Sequence, residues 1–228
     1  MALLLAPVAL IPLASTPASA LSIVSYTSEE LYKAALIPGS FSTDNFNNLT
    51  LGPKDSPLNI TGGSYNYNIA ASEFPPSNAL FVVDPATPGD RAITTRNDLV
   101  PLLISFAGVS SPTAVGGNIF LTDSTAFPFE GPNTINVKFN GEAIGQNYNF
   151  ANSASNFLGW TSADGTPITS IEFTPTASGG YSTLDNFTPG QAVPGPLPVL
   201  GALVAFRYSR KLRKRFAAST LVSDSTSA

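Results

Sequence analysis

Residues 135–150 carry the clearest structural signal in this chain. They read Ile-Asn-Val-Lys-Phe-Asn-Gly-Glu-Ala-Ile-Gly-Gln-Asn-Tyr-Asn-Phe. The first five residues alternate apolar and polar side chains, which is the pattern of a strand with one buried face. Asn140-Gly141 follows, and this dipeptide favours the left-handed backbone of a two-residue hairpin turn. The stretch therefore predicts an antiparallel hairpin in which residues 143–150 form the returning strand.

Similar short runs fill the rest of residues 21–192, separated by Gly, Pro, Asn and Asp residues that favour turns. About ten such runs occur, and no helical pattern alternates with them. We therefore expect an all-β fold, an antiparallel two-sheet β-sandwich with jelly-roll-like topology, and a barrel is the alternative. The predicted strands are 41–46, 65–69, 80–83, 92–95, 99–106, 118–122, 135–139, 143–150, 157–160, 168–173 and 181–187.

One short helix is predicted near the N-terminal end of this body. Thr27 and Glu30 have the spacing of a capping box, in which each side chain satisfies a free backbone N–H. Leu31 and the alanines after it follow at helical spacing, and Pro38-Gly39 ends the segment. We expect this helix to plug an open end of the sandwich.

Composition excludes several kinds of chemistry. The chain has no Cys and no His, which rules out thiol catalysis, disulfides, Ser-His-Asp triads and ordinary zinc sites. Residues 21–192 hold fourteen acidic and five basic side chains, a net charge of −9. With so few basic side chains, the body cannot neutralise the phosphates of a nucleic acid, so we expect no nucleic acid among its partners. It could instead attract cations.

Both termini carry the features of export signals. Residues 2–14 are an apolar run, and Ala18-Ser19-Ala20 is a signal-peptidase type of ending. Residues 193–216 contain a Pro/Gly block, the apolar run Leu197 to Phe206, and a basic cluster. That run spans about 15 Å as a helix, half of a ~30 Å bilayer core, and its basic end cannot cross. We therefore expect a tail that anchors the protein in the membrane only transiently, as a short hydrophobic helix with a basic end.

These boundaries divide the chain into four parts. Residues 1–20 are the predicted signal peptide, and residues 21–192 are the extracellular β-sandwich domain. Residues 193–216 are the sorting and transmembrane tail, and residues 217–228 are a disordered extension.

The tail resembles the PEP-CTERM protein-sorting signal, in the cyanobacterial form with a Val-Pro-x-Pro-Leu-Pro motif, a short apolar helix and an Arg-rich end. The resemblance implies recognition by an exosortase-type membrane protease near the proline motif, then release to the cell surface. Two features depart from the pattern: Arg207 stands where a small residue is usual, and the chain continues past the basic cluster. The motif residues include Val193, Pro194, Pro196, Leu197, Pro198, Arg210 and Arg213.

The body is also similar to an extracellular domain often attached to such tails. The similarity lies in five short motifs, and it implies a structural or adhesive role at the cell surface or in exopolysaccharide. The alternative is a carbohydrate-binding module, and a glycoside hydrolase is a further alternative. The motifs are residues 44–46, 80–84, 157–159, 168–173 and 185–187.

The tripeptide Asp-Asn-Phe occurs twice, at 44–46 and 185–187. If the first and last strands are neighbours, Asp44 and Asp185 could bind calcium together with carbonyl oxygens. Side chains alternate along a strand, so only one of each Asp-Asn pair can point into such a site. The alternative is that these are polar residues at strand ends with the phenylalanines in the core.

Aromatic side chains provide a second candidate site. Sugars stack their C–H faces on flat rings, so Tyr65, Tyr67, Tyr148 and Trp160 could form a glycan platform beside asparagines. The alternative is that these rings pack in the core or across strands.

Paired carboxyls could support glycoside hydrolysis without histidine. The available side chains are Glu130, Glu142, Asp164 and Glu172, and no spacing singles out a pair. We therefore expect no enzymatic activity and no resident cofactor other than the calcium considered above.

Overall fold

The computed structural model describes residues 21–61, 63–72, 79–85, 87–106, 111–129, 132–151 and 153–194. The predicted signal peptide, most of the sorting tail and its extension lie outside these residues. The described elements are β1 (Ile23–Tyr26), α1 (Glu29–Ala34), β2 (Gly52–Lys54), β3 (Leu58–Ile60), β4 (Tyr67–Ala71), β5 (Leu80–Val83), β6 (Ala92–Thr95), β7 (Leu102–Phe106), β8 (Ala114–Thr122), β9 (Pro132–Phe139), β10 (Gln146–Ala151), β11 (Phe157–Ser162), β12 (Ser170–Pro175) and β13 (Tyr181–Asp185).

The strands form two antiparallel sheets. The large sheet has seven strands in the order β1-β11-β8-β13-β6-β5-β2, and the small sheet has six in the order β10-β9-β12-β7-β4-β3. Pairs such as β1 with β11 join strands far apart in sequence. Neighbouring strands are antiparallel in both sheets.

One apolar core lies between the two sheets. Trp160 of the large sheet is fully buried, and its ring centroid lies 5.7 Å from Phe139 and 5.9 Å from Phe173 of the small sheet. Alternate residues of β9, from Ile135 to Phe139, are buried on the same side. The predicted two-sheet antiparallel sandwich is therefore confirmed.

The hairpin turn forms as its sequence predicts. Asn140 and Gly141 have φ values of 51° and 71°, the left-handed backbone that this pair of residues tolerates best. The N–H of Glu142 donates to the carbonyl of Phe139 over 2.9 Å and closes the turn.

The returning strand starts later than predicted. Pairing resumes only at Gln146, opposite Val137, so residues 143–145 bulge out of the ladder and Ile144 is 84% exposed. Gly145 lies close to the side chains of Asn136 and Lys138, which would have to shift to admit a Cβ at this position. Local alternation does not reveal such a bulge.

The helix differs from its prediction in its N-cap residue and in its position on the sandwich. Its N-cap is Ser28, whose side chain accepts from the N–H of Leu31 over 3.4 Å, so the predicted Thr27 capping box is wrong. The helix lies on the outer face of the large sheet and not at an open end. There the ring of Tyr32 covers the paired glycines Gly116 and Gly159, where a Cβ would approach the ring to 3.0 and 2.7 Å.

The central strand β8 begins at Ala114, four residues earlier than predicted, and includes Gly116-Gly117; most other discrepancies occur at the margins of the sheets. Strands β1, β2 and β3 were not predicted, and predicted strand 41–46 contains only a single bridge, Asp44 with Phe187. Strand β2 contains Pro53 and lies at an edge of the large sheet, where a missing N–H costs no ladder bond. Edge strands carry weak patterns because little of their surface is buried.

Candidate functional site

The two Asp-Asn-Phe segments lie side by side, as the sequence predicts. The N–H of Asp44 donates to the carbonyl of Phe187, and the N–H of Phe187 donates back, each over 2.8 Å. This isolated antiparallel bridge joins the segment between α1 and β2 to the residues just after β13, the last strand. The two segments are therefore the structural closure of the sandwich.

Asp44 uses both of its carboxylate oxygens in this closure. Oδ1 accepts from the N–H of Phe46 over 3.0 Å, and Oδ2 accepts from the hydroxyl of Tyr67 over 3.1 Å. Burial, then the charge of Asp44, raises the pKa of Tyr67 far above its ordinary value. Tyr67 therefore remains a neutral donor to Asp44 at all physiological pH values.

Asp185 has a different environment, because it is buried with only 3% of its surface exposed. Its Oδ1 accepts from the N–H of Asn186 over 2.6 Å and its Oδ2 from the side-chain amide of Asn186 over 2.9 Å. Burial raises the pKa of Asp185 to about 7; the bond from the Asn186 N–H opposes this rise, and the charges of Asp90 and Asp44 add to it. Asp185 thus exchanges a proton near neutral pH.

The pair does not have the donor set of a strong calcium site. All four carboxylate oxygens of Asp44 and Asp185 already accept hydrogen bonds. In the described ranges, no group of three or more acidic side chains is placed to hold a metal ion. A carboxylate oxygen that accepts one hydrogen bond keeps a second lone pair, so these bonds do not exclude an ion, and calcium binding by Asp44 and Asp185 stays a proposal to be tested by melting.

The four rings predicted as a glycan platform do not share a surface. Tyr65, Tyr67 and Trp160 are buried, with 6%, 2% and 0% of their surface exposed. Tyr148 is half-buried, packs its ring 5.4 Å from that of Trp160, and donates its hydroxyl to Gln146. Tyr67 and Trp160 belong to the core between the sheets and Tyr148 packs against it, which favours the alternative that these rings are packing residues.

The candidate catalytic carboxyls each lie in a separate local setting. Glu172 pairs with Lys138 at 3.3 Å, and Glu142 is exposed in the hairpin turn. Asp164 accepts from the hydroxyl of Ser162 over 2.7 Å, and this bond lowers the pKa of its carboxyl. A general acid needs a raised pKa instead. Glu130 lies outside the described residues.

The sorting motif begins where the folded body ends. The N–H of Val193 donates to the carbonyl of Ala35 over 2.8 Å, and Pro194 after it is exposed. The remaining predicted motif residues, Pro196, Leu197, Pro198, Arg210 and Arg213, lie outside the described part of the chain. Within that part, no helix has the length and apolar character needed to cross a bilayer.

A pocket on the outer face of the large sheet was missed by the sequence analysis. It has a volume of about 260 Å³, and Phe81 and Tyr181 are among its lining residues. Residues 80–83 are a continuous apolar run, yet only Leu80 and Val82 are fully buried in the core. The continuous apolar run offers no signal that Phe81 is only half-buried and faces away from the core.

Comparison with known proteins adds no further identification. No family model matches this chain, and no curated protein matches its sequence. The likeness to a sorting signal therefore depends on the motif residues themselves.

Proposed function

We propose that this protein is an exported cell-surface or extracellular-matrix protein with a structural or adhesive role, sorted by its C-terminal tail. The observation that carries the proposal is the order of proline motif, apolar run and basic cluster in residues 193–216. The closeness of this motif to the end of the folded body supports it. Val193 makes the last described backbone bond to the body, and Pro194 is exposed to solvent.

The proposed route uses both termini. A signal peptide ending at Ala20 directs export, and the basic cluster holds the C-terminal end in the cytoplasm while the apolar run lies in the membrane. An exosortase-type protease then cuts near the proline motif and releases the body. We infer a jelly-roll-like topology for that body, and the pairing of strands distant in sequence supports this.

The test is the mass of the mature protein. Intact-mass analysis of protein recovered from the surface of its own cells should give a C-terminal end between Val193 and Pro198. Recovery of a mature chain that ends at Ala228 would contradict the proposal.

A proline variant tests the motif itself. Changing Pro194, Pro196 and Pro198 together to Ala should block processing and leave the melting temperature of the body unchanged, since the motif follows the last core contact. The matched control changes the exposed Pro38 and Pro88 to Ala, and it should be processed normally. A large loss of stability in the triple variant would show that the folded body extends into the motif.

The assignment is non-enzymatic. The ion pair of Glu172 with Lys138 and the lowered pKa of Asp164 support this part of the proposal, because a general acid needs a raised pKa. Release of reducing ends from a panel of polysaccharides would contradict this part of the proposal.

A further inference from the structure

We propose that the outer face of the large sheet carries a glycan-binding pocket that takes a single neutral hexose unit between Phe81 and Tyr181. This inference goes beyond the sorting role and stands or falls separately from it. The pocket differs from the platform predicted by sequence, because it shares no residue with it.

Four successive strands build the pocket. In the order β8-β13-β6-β5, Phe81 pairs with Thr94, Thr94 with Thr183, and Tyr181 with Thr122. Since directly paired residues point to the same face of a sheet, these five side chains share the outer face. Two half-buried rings and three threonines therefore lie together on the part of this face away from helix α1, with Phe81 on β5 and Tyr181 on β13.

The floor of the pocket is polar but internally satisfied. The hydroxyls of Thr94, Thr122 and Thr183 form a triangle with separations of 3.3, 2.9 and 2.9 Å. A hydroxyl has one donor and two acceptor positions, so a closed ring of three leaves acceptor positions open. Thr94 and Thr122 line the pocket, and all three threonines are almost fully buried, so they form a polar base whose hydroxyls are already hydrogen-bonded when the pocket is empty.

One wall is the loop that follows β8, and its backbone bonds hold it in place. The N–H of Asp123 donates to the carbonyl of Phe127, and that of Phe129 donates to Leu121, each over 2.8 Å. Ala126 is in the left-handed region with φ of 69°. A preorganised wall lowers the entropic cost of binding.

Two charged side chains of opposite sign line the rim. Oδ1 of Asp123 accepts from the N–H and hydroxyl of Thr125 and from the N–H of Phe127, and Oδ2 has no partner among the described residues. The bonds from Thr125 lower the pKa of Asp123 and keep it ionised. Arg96 is exposed and makes no ion pair within the described ranges.

This set of groups fits a sugar better than other ligands. Rings match the C–H faces of a hexose, while a carboxylate and a guanidinium bind neighbouring hydroxyls as acceptor and forked donor. The single cation beside Asp123, in a body of net charge −9, disfavours phosphates and other strongly anionic ligands. The cavity of about 260 Å³ is below the usual range for drug-sized ligands, so it suits one unit of a longer glycan.

The test is a titration of the full-length protein by NMR with five probes. These are D-glucose, D-galactose, D-mannose, N-acetylglucosamine and D-glucuronate, each to about 50 mM. A ligand of this size should bind with a Kd on the order of 1–10 mM, and at least one neutral sugar should bind more tightly than glucuronate. Absence of binding by every neutral sugar, or tighter binding of glucuronate, would overturn the proposal.

Two variants locate the binding. Arg96→Ala removes the donor fork, and Ser124→Trp fills the pocket from an exposed rim position; each should weaken binding about tenfold or more. The matched control is Ser64→Trp, which adds the same ring at an exposed position on the small-sheet side and should bind like wild type. Unchanged affinity in Ser124→Trp, or equal loss in Ser64→Trp, would place the sugar elsewhere. Arg96→Ala keeps the test decisive if Ser124→Trp fails to fold.

Discussion

The segments 44–46 and 185–187 have the same sequence and lie side by side, yet their aspartates behave differently. Asp44 is half-exposed and accepts from Tyr67 and Phe46. Asp185 is buried and accepts only from Asn186 among the described residues. Burial raises the pKa of Asp185 to about 7, so identical tripeptides place their carboxyls in different electrostatic environments.

The two segments also differ in backbone conformation. The left-handed residue is Phe46 in the first segment, with φ of 54°, and Asn186 in the second, with φ of 49°. The turn therefore falls one residue earlier in the second copy. Identical local sequence thus adopts different conformations because long-range neighbours choose among the conformations that it allows.

Substitution of Phe46 or Phe187 should cause the largest losses of stability, and the two losses should be similar. Phe46 and Phe187 are buried at 0% and 1% exposure, and Phe187 packs 5.0 Å from Tyr67. Each change to Ala should lower the free energy of unfolding by about 3–5 kcal/mol, measured by urea denaturation. Phe127→Ala is the control, since Phe127 is 60% exposed. A loss below about 1 kcal/mol at either position would contradict the burial of that phenylalanine in the core.

Asp185→Asn should stabilise the protein at high pH. The folded state keeps a proton on Asp185 up to about pH 7, while the unfolded chain releases it near pH 3.9. The free energy of unfolding therefore falls as pH rises through this window, and the penalty is complete above it. At ~1.4 kcal/mol per pKa unit the penalty is at most about 4 kcal/mol, and solvent screening reduces it to about 1–3 kcal/mol.

Urea titrations from pH 4 to pH 8 measure this effect. Wild type and Asp185→Asn should agree near pH 4 and differ by the full penalty at pH 8. The matched control is Asp164→Asn at an exposed aspartate, which should give no stabilisation at pH 8. A variant that is equally or less stable than wild type at pH 8 would show that Asp185 is charged without penalty.

Asp44→Asn should lower the free energy of unfolding, whereas Asp185→Asn should raise it at high pH. It replaces a charged acceptor of the Tyr67 hydroxyl with a neutral amide, which should cost about 1–2 kcal/mol at pH 7. A double-mutant cycle with Tyr67→Phe isolates this bond, and the two losses should be less than additive. Strict additivity would mean that the 3.1 Å contact contributes nothing to stability.

Calcium should produce the smallest effect. Two carboxylates supply few ligands, and no group of three or more acidic side chains is placed to hold an ion in the described part of the chain, so we expect a change in melting temperature of less than about 2 °C at saturating calcium, under ~1 kcal/mol. A shift of roughly 5–10 °C, corresponding to about 2.7 kcal/mol at 100-fold excess over Kd, would establish the site if Asp44→Ala and Asp185→Ala both abolish it.

Local patterns were sufficient where a feature depends on neighbouring residues. Strands β5 and β6 have the predicted bounds, and the Asn140-Gly141 turn forms with the expected dihedral angles. These features follow from a short apolar run, from a β-branched run bounded by turn residues, and from backbone sterics, which all act within a few residues. The neighbouring positions of the two Asp-Asn-Phe segments also followed from their placement at the ends of the body.

The sequence by itself determined the sheet-forming runs, the turns, and the absence of thiol and histidine chemistry. Only the tertiary structure decided that Trp160 belongs to the core, that Asp185 is buried, and that Phe81 and Tyr181 border one pocket. Burial and proximity across sheets arise from contacts between residues far apart in the chain. A local pattern records which face of a strand is apolar, but not what covers that face.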